Sequence, residues 1–236
     1  TPMEIHAAIS KIESYASTEQ GNKVEIIERP NGGISIVMAE GKLEGNRSKD
    51  VSISAVHDVI KQIAENVPDG AASKKVLSKV QKKYQDKVSI NLSILSCDLQ
   101  SNTIVITKNN ITPVLIYDSG QSRCLPMDED AEKMRFSSVV YQFEFQLGQT
   151  FVLFSEGVMK AGANTNNPID ICSSAGAVFD EENSEPNVQE VADFILKQAI
   201  THDSGQPKDD MTVVVLRVSP STSTEIRRES VCFPID

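Results

Sequence analysis

The chain has 236 residues, of which 39% are hydrophobic and 24% charged, and its formal net charge is −10. This size and composition are typical of a globular α/β unit, so we expect a single domain over residues 1–236. The acidic balance argues against a nucleic-acid-binding protein, because such proteins cluster Lys and Arg. The first residues lack a basic start followed by an apolar stretch, and no apolar run approaches the roughly 20 residues of a membrane-spanning helix. We therefore expect a protein without membrane contact that is cytoplasmic if its source is bacterial.

The first half of the chain is predicted to contain a hairpin followed by two helices. In chain order, the expected segments are an amphipathic helix at residues 4–17, strands at 24–28 and 34–39, and helices at 46–65 and 71–84. The turn sequence Arg29-Pro30-Asn31-Gly32-Gly33 joins the two strands and is typical of a β-hairpin. Pairing of these strands would bring residues near Asn22 close to Glu40.

The second half of the chain is predicted to be richer in strands. The expected strands lie at residues 88–98, 103–108, 113–117, 139–145, 150–154, 211–218 and, as a final edge strand, 225–235. A helix is expected over residues 188–202, and residues 162–187 are expected to form a loop-rich insertion with one short helix. Hairpin signals outnumber strand-helix-strand units, so the pattern favours an α+β fold, an antiparallel β-sandwich flanked by helices.

The four cysteines are predicted to be free thiols. Cys97, Cys124, Cys172 and Cys232 form no C-x-x-C pair, and their spacings fit no zinc pattern. A reducing compartment would keep them unpaired.

Acidic residues follow or precede three of the apolar strand segments. Glu40-Gly41 comes after residues 34–39, Glu156-Gly157 comes after residues 150–155, and Asp209-Asp210 precedes residues 213–216. Strands can carry carboxylates to the rim of a sheet, and carboxylates that converge from distant segments bind hard divalent cations. A glycine after the acid allows a sharp turn. The sequence therefore predicts an oxygen-rich metal site, although an acid followed by glycine is also common in ordinary turns.

The same stretches resemble a known family. The matching residues are Glu25 to Gly33, Ala39-Glu40-Gly41 with Gly45, Asn109 to Val114, Phe154 to Val158, Asp209 to Thr212, and Arg227-Arg228 to Ile235. Their order and spacing are similar to those of the PPM metal-dependent serine/threonine protein phosphatases, in the bacterial branch typified by stage II sporulation protein E. The resemblance covers essentially the whole chain and implies a β-sandwich with helices on its faces.

The resemblance also implies a binuclear Mn²⁺ or Mg²⁺ site. Glu40, the Gly41 carbonyl, Glu156 and Asp209 occupy the positions of metal ligands, with Glu40 at the position of the bridging acid. Asn22 occupies the position of an acid that orients the attacking water, and we assign Asn22 and Glu40 to catalysis. Asp210 is expected to be a solvated neighbour of Asp209 or a residue that supports it. By analogy, the substrate is a phosphorylated regulatory protein of the anti-sigma-factor antagonist type.

Three positions depart from the family pattern, which has Asp where this chain has Asn22, Glu40 and Glu156. Glu is one methylene longer than Asp, and Mg²⁺ tolerates such changes poorly because it requires near-ideal octahedral geometry. Two functions stay open: a phosphatase for phosphoserine or phosphothreonine with an altered and weakened metal site, or a pseudophosphatase that acts as a binding module. An unrelated α+β binding protein is a third alternative.

Overall fold

The computed structural model describes residues 2–15, 21–45, 48–125, 131–180, 185–222 and 225–235. Within these ranges, ten strands form two antiparallel five-stranded sheets. Sheet A has the order β1-β10-β9-β6-β7, with β1 Met3–Ile12, β6 Val114–Asp118, β7 Gln121–Cys124, β9 Thr150–Phe154 and β10 Met211–Pro220. Sheet B has the order β2-β3-β4-β5-β8, with β2 Gly21–Glu28, β3 Gly33–Leu43, β4 Val88–Asp98, β5 Thr103–Lys108 and β8 Val139–Glu144.

The three longest helices cover the outer faces of the two sheets, and three shorter helices lie in other parts of the chain. They are α1 Ser48–Ala64, α2 Asp69–Tyr84, α3 Ala131–Met134, α4 Glu156–Met159, α5 Ile171–Gly176 and α6 Val188–His202. Helices α1 and α2 pack on sheet B, and helix α6 packs on sheet A. A third apolar layer lies between the sheets. The predicted α+β class, an antiparallel sandwich flanked by helices, is therefore confirmed.

The helix predicted over residues 4–17 is wrong, because Met3–Ile12 forms strand β1 and pairs along its length with β10. Ile5 and Ile9 pack into the layer between the sheets, whereas Ala8 packs on the opposite face with helix α6. Both faces of the strand carry apolar residues as a result. The strand therefore lacks a simple alternation of apolar and polar residues, and its apolar residues fall at positions that also fit the period of a helix. Residues 16 and 17 of that prediction lie outside the described residues.

The edge strand predicted over residues 225–235 is also wrong, since residues 225–235 form no strand. The apolar side chains of this segment do not pack on a sheet, and Val231 and Ile235 are 88% and 93% exposed. Alternation of apolar and polar residues indicates a strand only where a partner strand is available. The predicted hairpin, the helices over residues 46–65, 71–84 and 188–202, and the strands of the chain interior are present, with small shifts at their ends. Residues 46 and 47 of the first of these helices lie outside the described residues.

Two of the cysteines are paired, which corrects the prediction of four free thiols. Cys124 at the end of β7 forms a disulfide with Cys172 in α5, and their Cα atoms are 6.1 Å apart. Cys97 and Cys232 are free, as predicted. The bond ties the edge of sheet A to the insertion that precedes α6. Among the described residues, no helix has the length and apolar character that crossing a bilayer requires.

Candidate metal centre

Strand alternation brings Glu40 to the inner face of sheet B. Ile36, Met38 and Glu40 are successive residues on one face of β3, and the first two belong to the apolar layer between the sheets. Glu40 lies opposite Asn22 on β2 and opposite Asn91 on β4. The acid therefore lies inside a strand rather than after it, at the end of the sandwich where the apolar layer stops. The predicted proximity of Asn22 and Glu40 is confirmed.

The Glu40 carboxylate is buried, and only one of its two oxygens has a hydrogen-bond partner among the described residues. It is 8% exposed, and its Oε1 accepts a hydrogen bond of 2.7 Å from the backbone N–H of Glu156. Its Oε2 is buried and has no hydrogen-bond partner among the described residues. Burial raises the pKa of Glu40 to about 7, although the Glu156 N–H opposes that shift. A buried carboxylate oxygen without a donor is a position where a cation would be stabilised.

Glu156 begins helix α4 and faces Glu40 from sheet A. Its Oε1 forms an ion pair with Lys160, one helical turn away, and its Oε2 accepts a 3.3 Å hydrogen bond from Asn91 Nδ2. Burial opposes ionisation of this carboxyl group, but the Lys160 hydrogen bond and the charges of Lys42 and Lys160 outweigh burial and lower its pKa. Glu156 is therefore an ionised carboxylate that already has a cationic partner.

Asp209 is held against the start of α4 by a close backbone contact. A methyl group on Gly157 would lie 2.3 Å from the Asp210 carbonyl oxygen and 3.0 Å from Asp209 Cβ. Only glycine permits this approach between α4 and the segment before β10. The predicted set of Glu40, Glu156 and Asp209 therefore comes from three distant segments to one end of the sandwich.

Asp210 is buried and connects distant segments of the chain, which agrees with the supporting role and not with the solvated position among the two alternatives that the sequence left open. Its Oδ1 accepts a 2.8 Å hydrogen bond from the Ser14 backbone N–H, and its Oδ2 accepts a 2.9 Å bond from the Asn22 backbone N–H. The Asn22 side chain turns the same way, with Nδ2 donating to the Asp210 carbonyl at 3.4 Å and to Thr212 Oγ1 at 3.2 Å. Asp210 thus fixes the position of Asn22 relative to β10.

Gly41 is fixed by a contact with helix α1. Its N–H donates a 2.7 Å hydrogen bond to Ser52 Oγ, which donates in turn to the Gly21 carbonyl at 2.6 Å. A methyl group on Gly41 would lie 2.9 Å from Ser52 Oγ and 3.1 Å from the Ser48 carbonyl oxygen. The N–H of Gly41 is used by the helix, and the position of its carbonyl group depends on how α1 packs.

Lys108 is a charged residue of this end of the sandwich that sequence reasoning missed. It is the last residue of β5, is 2% exposed, and its Nζ donates to the Thr112 carbonyl. Burial lowers its pKa to about 8, and the charge of Glu40 acts in the opposite direction. The sequence did contain a signal, because Ile104 and Ile106 precede Lys108 at strand alternation and both point into the core.

The residues at this end fit a divalent cation in their chemistry. Carboxylates from Glu40, Glu156 and Asp209 and the carbonyl of Gly41 are the oxygen donors that Mn²⁺ and Mg²⁺ bind. The unpartnered Glu40 Oε2 gives such an ion one buried acceptor. No group of three or more His, Cys, Asp or Glu side chains is drawn together tightly enough to hold a metal ion in the part of the chain that the structure describes. The donor chemistry is present, whereas a preassembled ligand cage is not.

The fold and the family are defined by comparison with known proteins. Two packed antiparallel sheets with helices on both outer faces are the architecture of PP2C-like phosphatases of the PPM type. The family model for stage II sporulation protein E (SpoIIE) matches residues 50–219. The chain belongs to the SpoIIE family, as the resemblance in the sequence indicated.

The relatives are distant in sequence and similar in fold. Stage II sporulation protein E of Priestia megaterium is 25% identical over 209 residues, which cover 86% of this chain and 34% of the relative. The chain thus spans about a third of that relative's length. The SpoIIE phosphatase domain from Bacillus subtilis, in a crystal form without domain swapping, superposes with a TM-score of 0.68 at 22% identity and covers 98% of both chains. The catalytic domain of the serine/threonine phosphatase PstP, solved with two manganese ions, has a TM-score of 0.65 at 13% identity, covering 92% of this chain and all of that domain.

Proposed function

We propose that this chain is a metal-dependent protein phosphatase that hydrolyses phosphoserine or phosphothreonine. The observation that carries the proposal is the buried Oε2 of Glu40, which has no hydrogen-bond partner among the described residues and lies at the end of the sandwich that also holds Glu156 and Asp209. An unpartnered buried carboxylate oxygen is costly, and a bound cation would remove that cost. Membership of the SpoIIE family supports the same assignment.

Glu40, the Gly41 carbonyl, Glu156 and Asp209 are the groups that would hold the ion. When bound, Mn²⁺ or Mg²⁺ supplies a Lewis acid that polarises a phosphoryl oxygen and lowers the pKa of water. Glu40 is held in place by the Glu156 N–H. The shared hydrogen bond sets the distance between the segments that carry the two acids. This coupling of sheets A and B favours the positional accuracy that hydrolysis requires.

Asn22 would act on a water molecule through its amide oxygen. The two hydrogen bonds described for its side chain both use Nδ2, which leaves Oδ1 as the atom that it can offer as an acceptor. An amide accepts a hydrogen bond but does not take up a proton at neutral pH. We therefore assign Asn22 to orienting a water molecule, and not to general base catalysis.

The substrate class that we propose is a phosphorylated bacterial regulatory protein of the anti-sigma-factor antagonist type. This assignment rests on family analogy, and no contact in the described part of the chain identifies the partner. Glu156 and Asp209 are partly exposed at this end of the sandwich, which favours access of a protein-borne phosphoserine.

A pseudophosphatase is the second candidate function, and the Glu156–Lys160 ion pair favours it. A carboxylate that is neutralised by its own helix is a weaker metal ligand than a free one. In this alternative the chain binds a phosphorylated partner and releases no phosphate.

Phosphate release from a phosphoserine peptide separates the two candidates. We expect turnover with Mn²⁺ or Mg²⁺ and none with EDTA. We also expect Glu40→Gln and Asp209→Asn each to lower kcat/KM by at least about 100-fold, because substitution of residues that only support metal ligands already lowers metal affinity or activity by roughly 10–100-fold. Asp58→Asn on α1 is the matched control, because it removes one carboxylate that pairs with Lys79 on the outer helices. Turnover that ignores both the metal and the two substitutions would contradict the phosphatase assignment.

A further inference from the structure

Helix α2 has one buried side and one side rich in lysine. Residues 70–84 contain five lysines and no acid, although the chain as a whole has a net charge of −10. The buried residues of the helix include Val76, Leu77 and Val80, which pack in the layer with sheet B. The lysines are exposed on the outer side of the helix, and we call them the lysine face: Lys74, Lys75, Lys79, Lys82 and Lys83.

Most of the positive charge of the lysine face is not neutralised by neighbouring side chains. In the part of the chain that the structure describes, Lys79 is the one lysine of this face with a carboxylate partner, and its Nζ lies 2.9 Å from Asp58 of α1. Lys75 donates a 3.4 Å hydrogen bond to Gln62, which carries no charge. Most of the lysine charges therefore remain free to interact with an acidic partner.

A shallow depression of about 880 Å³ runs along the lysine face. Val67, Ala71 and Ser78 line it together with the lysine side chains. From Lys74 to Lys83 the face extends about 14 Å along the helix axis, at 1.5 Å per residue. Helices that lie on membranes insert large apolar side chains, and no large hydrophobic side chain is exposed on α2, all of which the structure describes. The size and chemistry of the face therefore fit a short acidic protein segment better than a bilayer.

The lysine face ends near the candidate metal centre. Strand β4 follows α2 after one short turn, and its first residue, Val88, pairs with Leu43, two residues beyond Gly41 on β3. Asn91, which pairs with Glu40, follows Val88 by three residues, about 10 Å along a strand. The carboxyl end of α2 thus lies at the end of the sandwich that holds the cation site, so one partner can contact both.

We propose that the lysine face binds an acidic segment of the phosphoprotein whose phosphoserine reaches the metal centre. This docking surface rests on the proposed phosphatase function and adds a chemical feature of the partner. Lys75, Lys79 and Lys82 recur at i, i+4 and i+7, so they favour carboxylates that repeat along one side of a helix. A nucleic acid is disfavoured, because its wide footprint would also meet the negative charge of the rest of the chain.

Peptide binding tests the docking surface without requiring catalysis. The probe is a fluorescein-labelled helical peptide with glutamates along one side, and the reference peptide has glutamine at each of those positions. Neither peptide contains phosphoserine, and the buffer contains EDTA. Fluorescence anisotropy is expected to show that the wild-type chain binds the glutamate peptide at least about 10-fold more tightly than the glutamine peptide.

A triple substitution on α2 tests whether the lysine face causes this preference. The variant Lys74→Gln, Lys75→Gln, Lys82→Gln removes three exposed charges without breaking an ion pair of the described residues, and it is expected to lose most of the preference. The matched control removes three exposed lysine charges elsewhere and is expected to keep it: Lys11→Gln, Lys49→Gln, Lys197→Gln. Circular dichroism verifies that both variants are folded.

A kinetic comparison tests the link between the docking surface and the metal centre. Both peptides are extended by a flexible glycine-serine linker and a phosphoserine. The wild-type chain is expected to have a KM about 10-fold lower for the glutamate phosphopeptide, with kcat unchanged, because docking adds binding that is equal in the ground state and the transition state. The α2 triple variant is expected to have similar KM values for the two phosphopeptides.

Several results would overturn the docking surface. Equal affinity of the wild-type chain for the two peptides would do so without any variant, and so would a full preference in the folded α2 triple variant. Tighter binding of the wild type to phosphatidylserine vesicles or to single-stranded DNA than to the glutamate peptide would overturn the assignment of a protein partner. Phosphate release with equal KM values would contradict this proposal alone. A preference for the glutamate peptide in a chain that releases no phosphate would contradict the proposed activity and support the docking surface.

Discussion

Substituting Glu40 by Gln is expected to remove a pH dependence of stability that originates in this site. In the folded protein, burial raises the pKa of Glu40 to about 7, whereas the ordinary value is 4.5. Between these two values the folded state keeps a proton that the unfolded state has released, so the free energy of unfolding falls as the pH rises from 4.5 to 7. At about 1.4 kcal/mol per pH unit, the decrease is on the order of 3 kcal/mol at most.

Urea denaturation in EDTA at several pH values between about 4.5 and 7.5 measures this effect. The amide side chain of the Glu40→Gln variant stays uncharged throughout, so the fall in its free energy of unfolding should be smaller by up to about 3 kcal/mol. Lys108 stays protonated over most of this range, because its pKa is about 8. Glu25→Gln, on β2, is the matched control, because Glu25 is partly exposed beside Lys23. Identical pH profiles for wild type and Glu40→Gln would refute the reasoning that Glu40 is buried and incompletely compensated.

Three further substitutions test the contacts that hold the site and the fold. Gly157→Ala is expected to lower the free energy of unfolding by about 1–3 kcal/mol in urea and to weaken Mn²⁺ binding, because its methyl group would overlap the Asp210 carbonyl. Arg29→Met is expected to lower it by about 3–5 kcal/mol in the same assay, because the Asp69 carboxylate, only 3% exposed, would lose its cationic partner. Cys124→Ser is expected to lower it by about 4 kcal/mol under oxidising conditions, from the chain entropy of a loop closed across 48 residues.

The controls for these substitutions are available in the same chain. Gly70→Ala would place a methyl group 3.1 Å from a methyl group of Val140 and near no backbone atom, so it should change stability much less than Gly157→Ala, whose methyl group would lie 2.3 Å from a backbone oxygen. Lys79→Met breaks an exposed ion pair and should cost less than about 1 kcal/mol. Adding reductant to the wild type should reproduce the Cys124→Ser effect. Equal losses in test and control variants would contradict the assigned contacts.

The hairpin and the long helices could be predicted from the sequence because a short segment of the chain specifies each of them. The turn at Arg29 to Gly33 fixes the register of the hairpin, and the register places Asn22 opposite Glu40. The apolar stripes of α1, α2 and α6 are long enough to be unambiguous. The resemblance to the family then placed Glu156 and Asp209 at the same end, as the structure does.

The remaining features depend on tertiary contacts that no short segment encodes. The sequence of strand β1 has apolar residues at helix-like spacing because sheet B covers one face of the strand and α6 covers the other. Cys124 and Cys172 become neighbours only when β7 and α5 pack together. Lys108 is buried although it is charged, because strand alternation turns it inward after Ile104 and Ile106, and its ammonium group donates to the Thr112 carbonyl of the following loop.

The most direct test of the proposed cation site is to locate Mn²⁺ by anomalous scattering in crystals grown with excess MnCl₂. We expect an anomalous peak within about 2.5 Å of Glu40 Oε2, the distance typical of a metal-bound oxygen. A map with no peak near Glu40, from crystals in which the ion was abundant, would contradict the claim that this end of the sandwich is a cation site.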